Sequence, residues 1–137
     1  MAALRTAHIF VNLPVKDLKR TMDFFSQIGF EFNAQFTDDK AACLVLGENI
    51  FAMLLTEPFF GTFTKKELAD ATKTTEAILA ISADSREQVD LIVDRAFAAG
   101  AGASKEPQDH GFMYSRSFED PDGHLWEVMW MDPSAIQ

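Results

Sequence analysis

The chain has 137 residues, the size of one domain or of two small modules that share a core. Its formal net charge is −9, from 12 basic and 21 acidic residues. Nucleic acids and anionic membrane surfaces bind proteins through clustered Lys and Arg, so this charge argues against both as partners. The composition is 47% hydrophobic with 13 Phe, enough to fill a core and to line a pocket.

The chain contains a single cysteine, Cys43, so no disulfide forms within it, which suits a reducing cytoplasm. Cys43 lies in the apolar run 41–46, and we interpret it as a buried small side chain rather than a nucleophile. The N-terminus lacks the charged and then apolar pattern of a signal peptide, and no apolar run approaches membrane length. We expect a cytoplasmic protein.

The first half predicts a strand, a helix and three further strands. Alternating apolar residues predict the first strand over 7–14. Asp17 is a suitable N-cap for a helix with an apolar stripe, and Gly29 follows that helix in the usual C-terminal position. Polar turns then separate three short strands, near 30–36, 41–46 and 50–56.

The second half repeats this pattern. A strand near 76–83 precedes Ser85-Arg-Glu-Gln88, a capping box that opens a helix, and Gly100 ends that helix. Further strands are predicted near 103–107, 112–118 and 124–131. The fold class is therefore α+β, with a βαβββ module at 5–56 and another at 75–133.

Residues 57–74 join the two modules. Thr64-Lys-Lys-Glu67 has the spacing of a capping box and predicts a short helix. Phe59, Phe60 and Phe63 precede it, although connecting segments are usually polar. These side chains either pack the segment onto the body of the protein, or form a lid or a contact with a second subunit.

The segment 118–130 contains the most informative pattern in the chain. Its Asp120-Pro-Asp-Gly123 sequence fits a type I turn, with Pro fixing φ and Gly relieving the exit. The following strand places Trp126, Val128 and Trp130 on one face, and Leu125, Glu127 and Met129 on the other. A lone carboxylate on an apolar face is costly unless water, a partner or a ligand meets it. Glu127 is therefore the first candidate functional residue.

Each module is expected to pack its helix on one sheet face and to leave the other free. If the free faces curve together, they form a cup with an apolar wall and a few polar groups, which suits a small molecule. The side chains predicted on these faces are His8, Phe10, Asn12, Ile78, Ala80, Ser82, Leu125, Glu127 and Met129.

Four other polar residues have a functional and a structural interpretation. His110, in a loop, is either a pocket-mouth residue that titrates near neutral pH or a solvated turn residue. Tyr114 and Arg116 share one face of their strand. Arg116 either pairs with Glu127 or clamps an anion, or it forms a structural ion pair. Tyr114 is a hydroxyl donor in the cup or a core aromatic residue. Asn12 orients a ligand or satisfies a neighbouring backbone group.

Two segments resemble the vicinal oxygen chelate superfamily, which includes glyoxalase I, bleomycin-resistance and fosfomycin-resistance proteins and extradiol dioxygenases. They are Val15–Phe30 (VKDLKRTMDFFSQIGF) and Glu119–Glu127 (EDPDGHLWE), together with the doubled βαβββ pattern. The resemblance implies a cupped mixed sheet with helices on its outer face, often within a homodimer.

The resemblance also implies a divalent metal bound by residues of the first, fourth, fifth and eighth strands. Those positions fall on Phe10, near Ala52, on Ile78 and on Glu127, so one of the four is a ligand type. Since a divalent ion needs several O or N donors, we predict no metal and no cofactor. A displaced site using His8, two residues from Phe10, is the alternative.

These features lead to three hypotheses. The first is a metal-free protein that binds a small organic molecule in an apolar cup, in which Phe10, Asn12, Ile78, Tyr114 and Met129 contact the ligand. The second is a lyase/isomerase or dioxygenase-type enzyme, in which Glu127 is the base and His110 or Arg116 stabilises the developing charge. The third is a scaffold in which Glu127 makes a buried hydrogen bond.

Overall fold

The computed structural model describes residues 2–135, and these form two compact units. The first unit extends to Met22 and continues over Phe30–Leu68. The second comprises Asp23–Gly29 and the chain from Ala69 onward. The boundary between the units therefore runs through the first helix as well as through the predicted linker.

The first unit contains a four-stranded mixed sheet in the order β1-β4-β3-β2. β1 and β4 are parallel, and the other neighbours are antiparallel. Its strands are β1 (Ile9–Val15), β2 (Glu31–Asn33), β3 (Ala41–Gly47) and β4 (Ile50–Thr56).

The strand register gives this sheet one buried and one more exposed face. Leu13 pairs with Leu54, and both side chains are buried. Phe10 pairs with Phe51 and Asn12 with Met53, on the opposite face. We name this second set (Phe10, Asn12, Phe51 and Met53) the Phe10 face.

Helix α1 (Leu18–Ile28) ends within the second unit, because two aromatic side chains of its last turns pack there. The Phe24 ring lies 6.0 Å from that of Phe118, and the Phe25 ring lies 5.3 Å from that of Trp126. All four side chains are buried. We expected this helix to pack entirely on the sheet of its own module. Its C-terminal residues instead pack in the core of the second module.

The second unit contains a five-stranded sheet in the order β5-β9-β8-β6, with β7 also paired to β8. β5 and β9 are parallel, and β8 pairs antiparallel with β9. Helix α3 (Arg86–Ala98) packs against β8 and β9. The strands are β5 (Ile78–Ser82), β6 (Gly102–Ala103), β7 (Gln108–Asp109), β8 (Met113–Glu119) and β9 (Leu125–Met131).

The predicted helix ends are confirmed. The Asp17 carboxylate accepts a hydrogen bond from the Arg20 N–H at 3.1 Å. The Ser85 hydroxyl accepts from the Gln88 N–H at 3.0 Å, and the Gln88 side chain accepts in turn from the backbone of Asp84. Gly29 and Gly100, with φ of 119° and 102°, end the two helices in the left-handed region that glycine tolerates.

The prediction of a helix that begins at Thr64 is wrong. Helix α2 (Glu57–Phe60) and a short 3₁₀ turn (Gly61–Phe63) precede that position, because Pro58 suits the first turn of a helix. Thr64 is extended, and its hydroxyl accepts from the Lys66 N–H in a local turn. The rings of Phe59 and Phe63 stack edge to face at 5.2 Å within the segment.

The strand predicted near 103–107 is replaced by the two short strands β6 and β7. Both pair with β8, and Ser104–Pro107 leaves the sheet between them. Pro107 has no N–H to donate to a β-ladder, which explains the interruption.

The α+β class and the two βαβββ-type modules are confirmed, as two mixed sheets and three α-helices in residues 2–135. None of the helices described here combines the length and the apolar character needed to cross a lipid bilayer.

Candidate functional site

The predicted turn at Asp120–Gly123 connects β8 to β9 and fixes where β9 begins. The Gly123 N–H donates to the Asp120 carbonyl at 2.9 Å, and the Asp120 N–H donates to the His124 carbonyl at 3.0 Å. Gly123 has a φ of 86°, and a Cβ there would lie 2.8 Å from the Ala71 carbonyl oxygen. Both the conformation and the close approach of Ala71 require glycine at this position.

The Asp120 carboxylate stabilises this turn from inside. It accepts from the N–H groups of Asp122 and His124, at 2.9 and 3.1 Å, and from the Trp126 indole Nε1 at 3.0 Å. Burial raises the pKa of Asp120, although these donors and His124 act in the opposite direction. The turn therefore places Trp126 in the core and turns its neighbour Glu127 to the opposite face.

Glu127 lies on the face of the second sheet that is opposite to α3. It pairs with Ala80 on β5 and with Ser117 on β8. Residues directly across from one another on neighbouring strands share a face. We name this set the Glu127 face; it comprises Ile78, Ala80 and Ser82 of β5, Leu125, Glu127 and Met129 of β9, and Ser115, Ser117 and Glu119 of β8.

Lys105 is the only basic side chain within ion-pairing distance of Glu127 among residues 2–135. Its Nζ lies 3.7 Å from Glu127 Oε2. The Glu127 side chain is 19% exposed, so it is shielded from water but not enclosed. The backbone N–H of Lys105 donates to the Ser117 hydroxyl at 3.2 Å, which fixes the Ser104–Pro107 segment beside β8.

The predicted placement of Arg116 and Tyr114 in the cup is wrong. Both lie on the opposite face of β8 and contact α3. Arg116 Nη1 donates to the carboxylates of Asp90 and Asp94, at 2.9 Å each, so it pairs with neither Glu127 nor a ligand on that face. The Tyr114 hydroxyl donates to Asp90 at 2.7 Å. Arg116 therefore forms an ion pair with α3, and Tyr114 is a half-buried side chain that bonds to the same helix.

The contacts between Tyr114, Arg116 and Asp90 change the pKa values of these side chains. The Tyr114 hydroxyl and the Arg116 guanidinium lower the pKa of Asp90, and the same hydrogen bond raises the pKa of Tyr114. Both shifts favour an ionised Asp90 and a protonated Tyr114, the pair of states in which the tyrosine hydroxyl donates to the carboxylate. The cluster therefore acts as a tie between the helix and the sheet.

His110 lies in an exposed loop that hydrogen bonds from Arg86 hold in place. The Arg86 guanidinium donates to both carboxylate oxygens of Asp109, at 2.8 and 2.9 Å, and to the Gly111 carbonyl at 2.8 Å. It also lies 5.2 Å from the ring centres of Tyr114 and Trp130. The His110 ring lies 6.4 Å from that of Phe112.

The remaining predicted site residues divide between the two units. Ile78 and Met129 lie on the Glu127 face, as predicted. Phe10 and Asn12 lie in the first unit, where the rings of Phe10 and Phe51 stack at 5.2 Å. The Asn12 amide donates to the Phe10 carbonyl at 3.1 Å, so it satisfies a neighbouring backbone group.

The sequence profile of the Glyoxalase/Bleomycin resistance protein/Dioxygenase superfamily matches residues 5–128. The chain belongs to this superfamily. The match covers the first βαβββ module and the second as far as Val128, in agreement with the resemblance seen in the sequence. The chain has no significant match among curated protein sequences.

Several solved structures share this fold. A hypothetical protein, SA1046 from S. aureus, is 24% identical with a TM-score of 0.76, and the match covers 92% of this chain and 95% of that one. A glyoxalase-related enzyme from Fulvimarina pelagi is 16% identical with a TM-score of 0.76, covering 93% and 88%. The fosfomycin resistance protein FosX from Listeria monocytogenes is 22% identical with a TM-score of 0.67, covering 93% and 92%.

The metal positions of the superfamily do not fit a divalent ion in this member. Phe10 and Ile78 offer no lone pair. Ala52 is buried on the core side of β4, so the matching position on the Phe10 face is Phe51 or Met53, neither of which is a hard oxygen or nitrogen donor. Within residues 2–135 no group of three or more His, Cys, Asp and Glu side chains is arranged to bind a metal.

The sequence predicts Glu127 as a site residue but gives no indication of Lys105 beside it. The signal for Glu127 was local, because strand alternation isolates it among apolar residues. Lys105 gave no such signal, since its approach to Glu127 depends on the interruption at Pro107 and on the hydrogen bond to Ser117. Glu119, a second carboxylate on the Glu127 face, was also missed.

Proposed function

We propose that this superfamily member binds a small organic molecule on its Glu127 face without a metal ion. The observation that supports the proposal is a carboxylate among apolar and small side chains on a sheet face that its helix does not cover. Ile78 on this face is 58% exposed, and Leu125 and Met129 flank Glu127. A mainly apolar surface with one well-placed charge is typical of small-molecule sites.

The ligand class that best fits is a planar organic cation. Glu127 and Glu119 are the charged groups of the Glu127 face itself, and both are acidic. The net charge of −9 attracts cations to the protein as a whole. Apolar side chains on either side of Glu127 would contact the flat body of such a ligand.

Binding can be tested with 9-aminoacridine, a planar cation, and with acridone, a neutral molecule of similar shape. We expect calorimetry to show saturable binding of the cation to the wild-type protein and weaker binding of acridone. Substituting Glu127→Gln should weaken 9-aminoacridine binding by about 5–100-fold, the loss expected for a partly shielded charged contact of about 1–3 kcal/mol.

Glu48→Gln is the matched control, because Glu48 is an exposed turn residue and its substitution changes the net charge equally. It should leave the affinity unchanged. Equal losses in both variants would mean that binding is non-specific, and no binding of either probe would contradict the proposal for this ligand class.

The Lys105–Glu127 pair favours a second candidate function, a lyase or isomerase. Glu127 would act as a general base beside a carbonyl, and the Lys105 ammonium would stabilise the developing enolate. Turnover of methylglyoxal hemithioacetal that Glu127→Gln abolishes would support this function. One tightly bound Ni, Zn or Fe per chain, measured by elemental analysis, would contradict the metal-free site in either case.

A further inference from the structure

Lys105 reaches Glu127 from the far side of a strand. Its backbone is bound to Ser117 of β8, whereas Glu127 lies on β9, so the lysine side chain extends across β8 to the carboxylate. Ser117 is paired with Glu127, and its small side chain leaves room for a long side chain to cross this part of the sheet. The arrangement places a cation from the protein itself at the one charged group in the centre of the Glu127 face.

This ion pair is weak. Its N···O distance is 3.7 Å, longer than a hydrogen bond, and the Lys105 side chain is 52% exposed. An exposed pair of this kind gains little, because water screens it and because the lysine loses rotamer freedom. The ammonium can therefore leave Glu127 at small cost.

We infer that Lys105 is an internal competitor for the ligand, so that a bound cation takes its place at Glu127. This inference rests on the proposed function. Until a ligand arrives, Lys105 neutralises a carboxylate that lies among apolar groups. A ligand cation must displace the lysine, and contact between its apolar body and Leu125 and Met129 compensates for the displacement.

The inference specifies the ligand class more narrowly than charge alone does. A small hydrophilic cation such as methylammonium gains nothing over the lysine that is already present, so it should not bind. A cation attached to a rigid apolar body gains the additional burial. Lys105 therefore selects for amphipathic cations.

The test compares Lys105→Gln with the wild-type protein, using 9-aminoacridine and acridone. Removing an exposed competitor of this kind should tighten 9-aminoacridine binding by about two- to fivefold and should leave acridone binding unchanged. Lys73→Gln, at another exposed lysine of the same unit, is the matched control and should not change either affinity.

The double variant Lys105→Gln/Glu127→Gln isolates the pair. If Lys105 acts only by occupying Glu127, the gain should disappear when the carboxylate is removed. Salt should also weaken 9-aminoacridine binding more steeply in Lys105→Gln, since the wild-type protein exchanges one cation for another.

Weaker or unchanged 9-aminoacridine binding in Lys105→Gln would overturn the inference and leave the proposed function intact, provided that Glu127→Gln still reduces binding. If Glu127→Gln has no effect, the proposed function fails by itself. If neither the wild-type protein nor Lys105→Gln binds the cation, both are overturned.

Discussion

At the residue scale, Asp120 shows how one buried carboxylate organises the strand that carries the candidate site. It binds two backbone N–H groups of its own turn and the indole of Trp126, which is fully buried. The sequence predicted the turn from Asp120, Pro121 and Gly123. It did not predict that the same carboxylate also anchors the largest side chain of the core.

Asp120→Asn should lower the free energy of unfolding by about 1–3 kcal/mol, because an amide offers one acceptor oxygen and leaves a buried N–H group unpaired. Urea denaturation followed by fluorescence measures this change. The cost should shrink in a Trp126→Phe background, where no indole N–H needs a partner. An unchanged cost in that background would mean that the bond to Trp126 is unimportant.

At the scale of elements, the two faces of β8 have different partners. Tyr114 and Arg116 face α3, and Ser115 and Ser117 face the side of Glu127. Successive residues of β8 point to opposite faces, and the two faces are similarly polar. The alternation pattern alone therefore does not determine which face meets the helix. The assignment depends on Asp90 and Asp94, which lie more than 20 residues earlier in the chain.

A second element-scale feature is the loop that contains His110. Arg86, at the start of α3, binds Asp109 with two hydrogen bonds, and the Gly111 N–H donates to the same carboxylate at 2.9 Å. These contacts lower the pKa of Asp109 to about 2. The loop is therefore fastened to the helix by a carboxylate that stays ionised well below the ordinary pKa.

The lowered pKa of Asp109 makes its contribution to stability depend on pH in a defined direction. The pKa of Asp109 is lower in the folded protein than in the unfolded chain. Its contribution to the free energy of unfolding is therefore complete above the ordinary pKa of 3.8 and is lost as the pH falls through about 2. An NMR titration of the Gly111 amide should show a midpoint of about 2, which Asp109→Asn abolishes. A midpoint near 3.8 would show that the loop is not fastened in solution.

At the scale of the whole molecule, each sheet has an edge strand with exposed apolar residues. β1 and β5 are outermost in their sheets among the residues described, and Ile9 and Ile78 are 65% and 58% exposed. Unpaired edges with apolar side chains favour association with another chain. We therefore propose that the protein is a homodimer.

Light scattering over a range of concentrations measures this association, and we expect a mass of twice 15.3 kDa. Ile9→Lys should shift the equilibrium toward the monomer, because a charge on an edge strand opposes pairing. Leu91→Lys, at an exposed position of α3, is the control and should have no effect. A constant mass of 15.3 kDa would contradict the proposal.

The sequence by itself determined the features that depend on near neighbours. The helix caps at Asp17 and Ser85, the turn before β9 and the isolation of Glu127 on its strand face each depend on residues within about four positions. Steric limits, short hydrogen bonds and strand alternation act over that range.

The tertiary structure decided the features that join distant residues. The burial of Phe24 and Phe25 against Phe118 and Trp126, and the pairing of Lys105 with Glu127, connect positions between 22 and about 100 residues apart. Such pairs depend on strand register and on which elements pack together, and one sequence does not encode either in a local pattern. The sequence therefore located the acidic residue of the candidate site, and only the fold identified the lysine beside it.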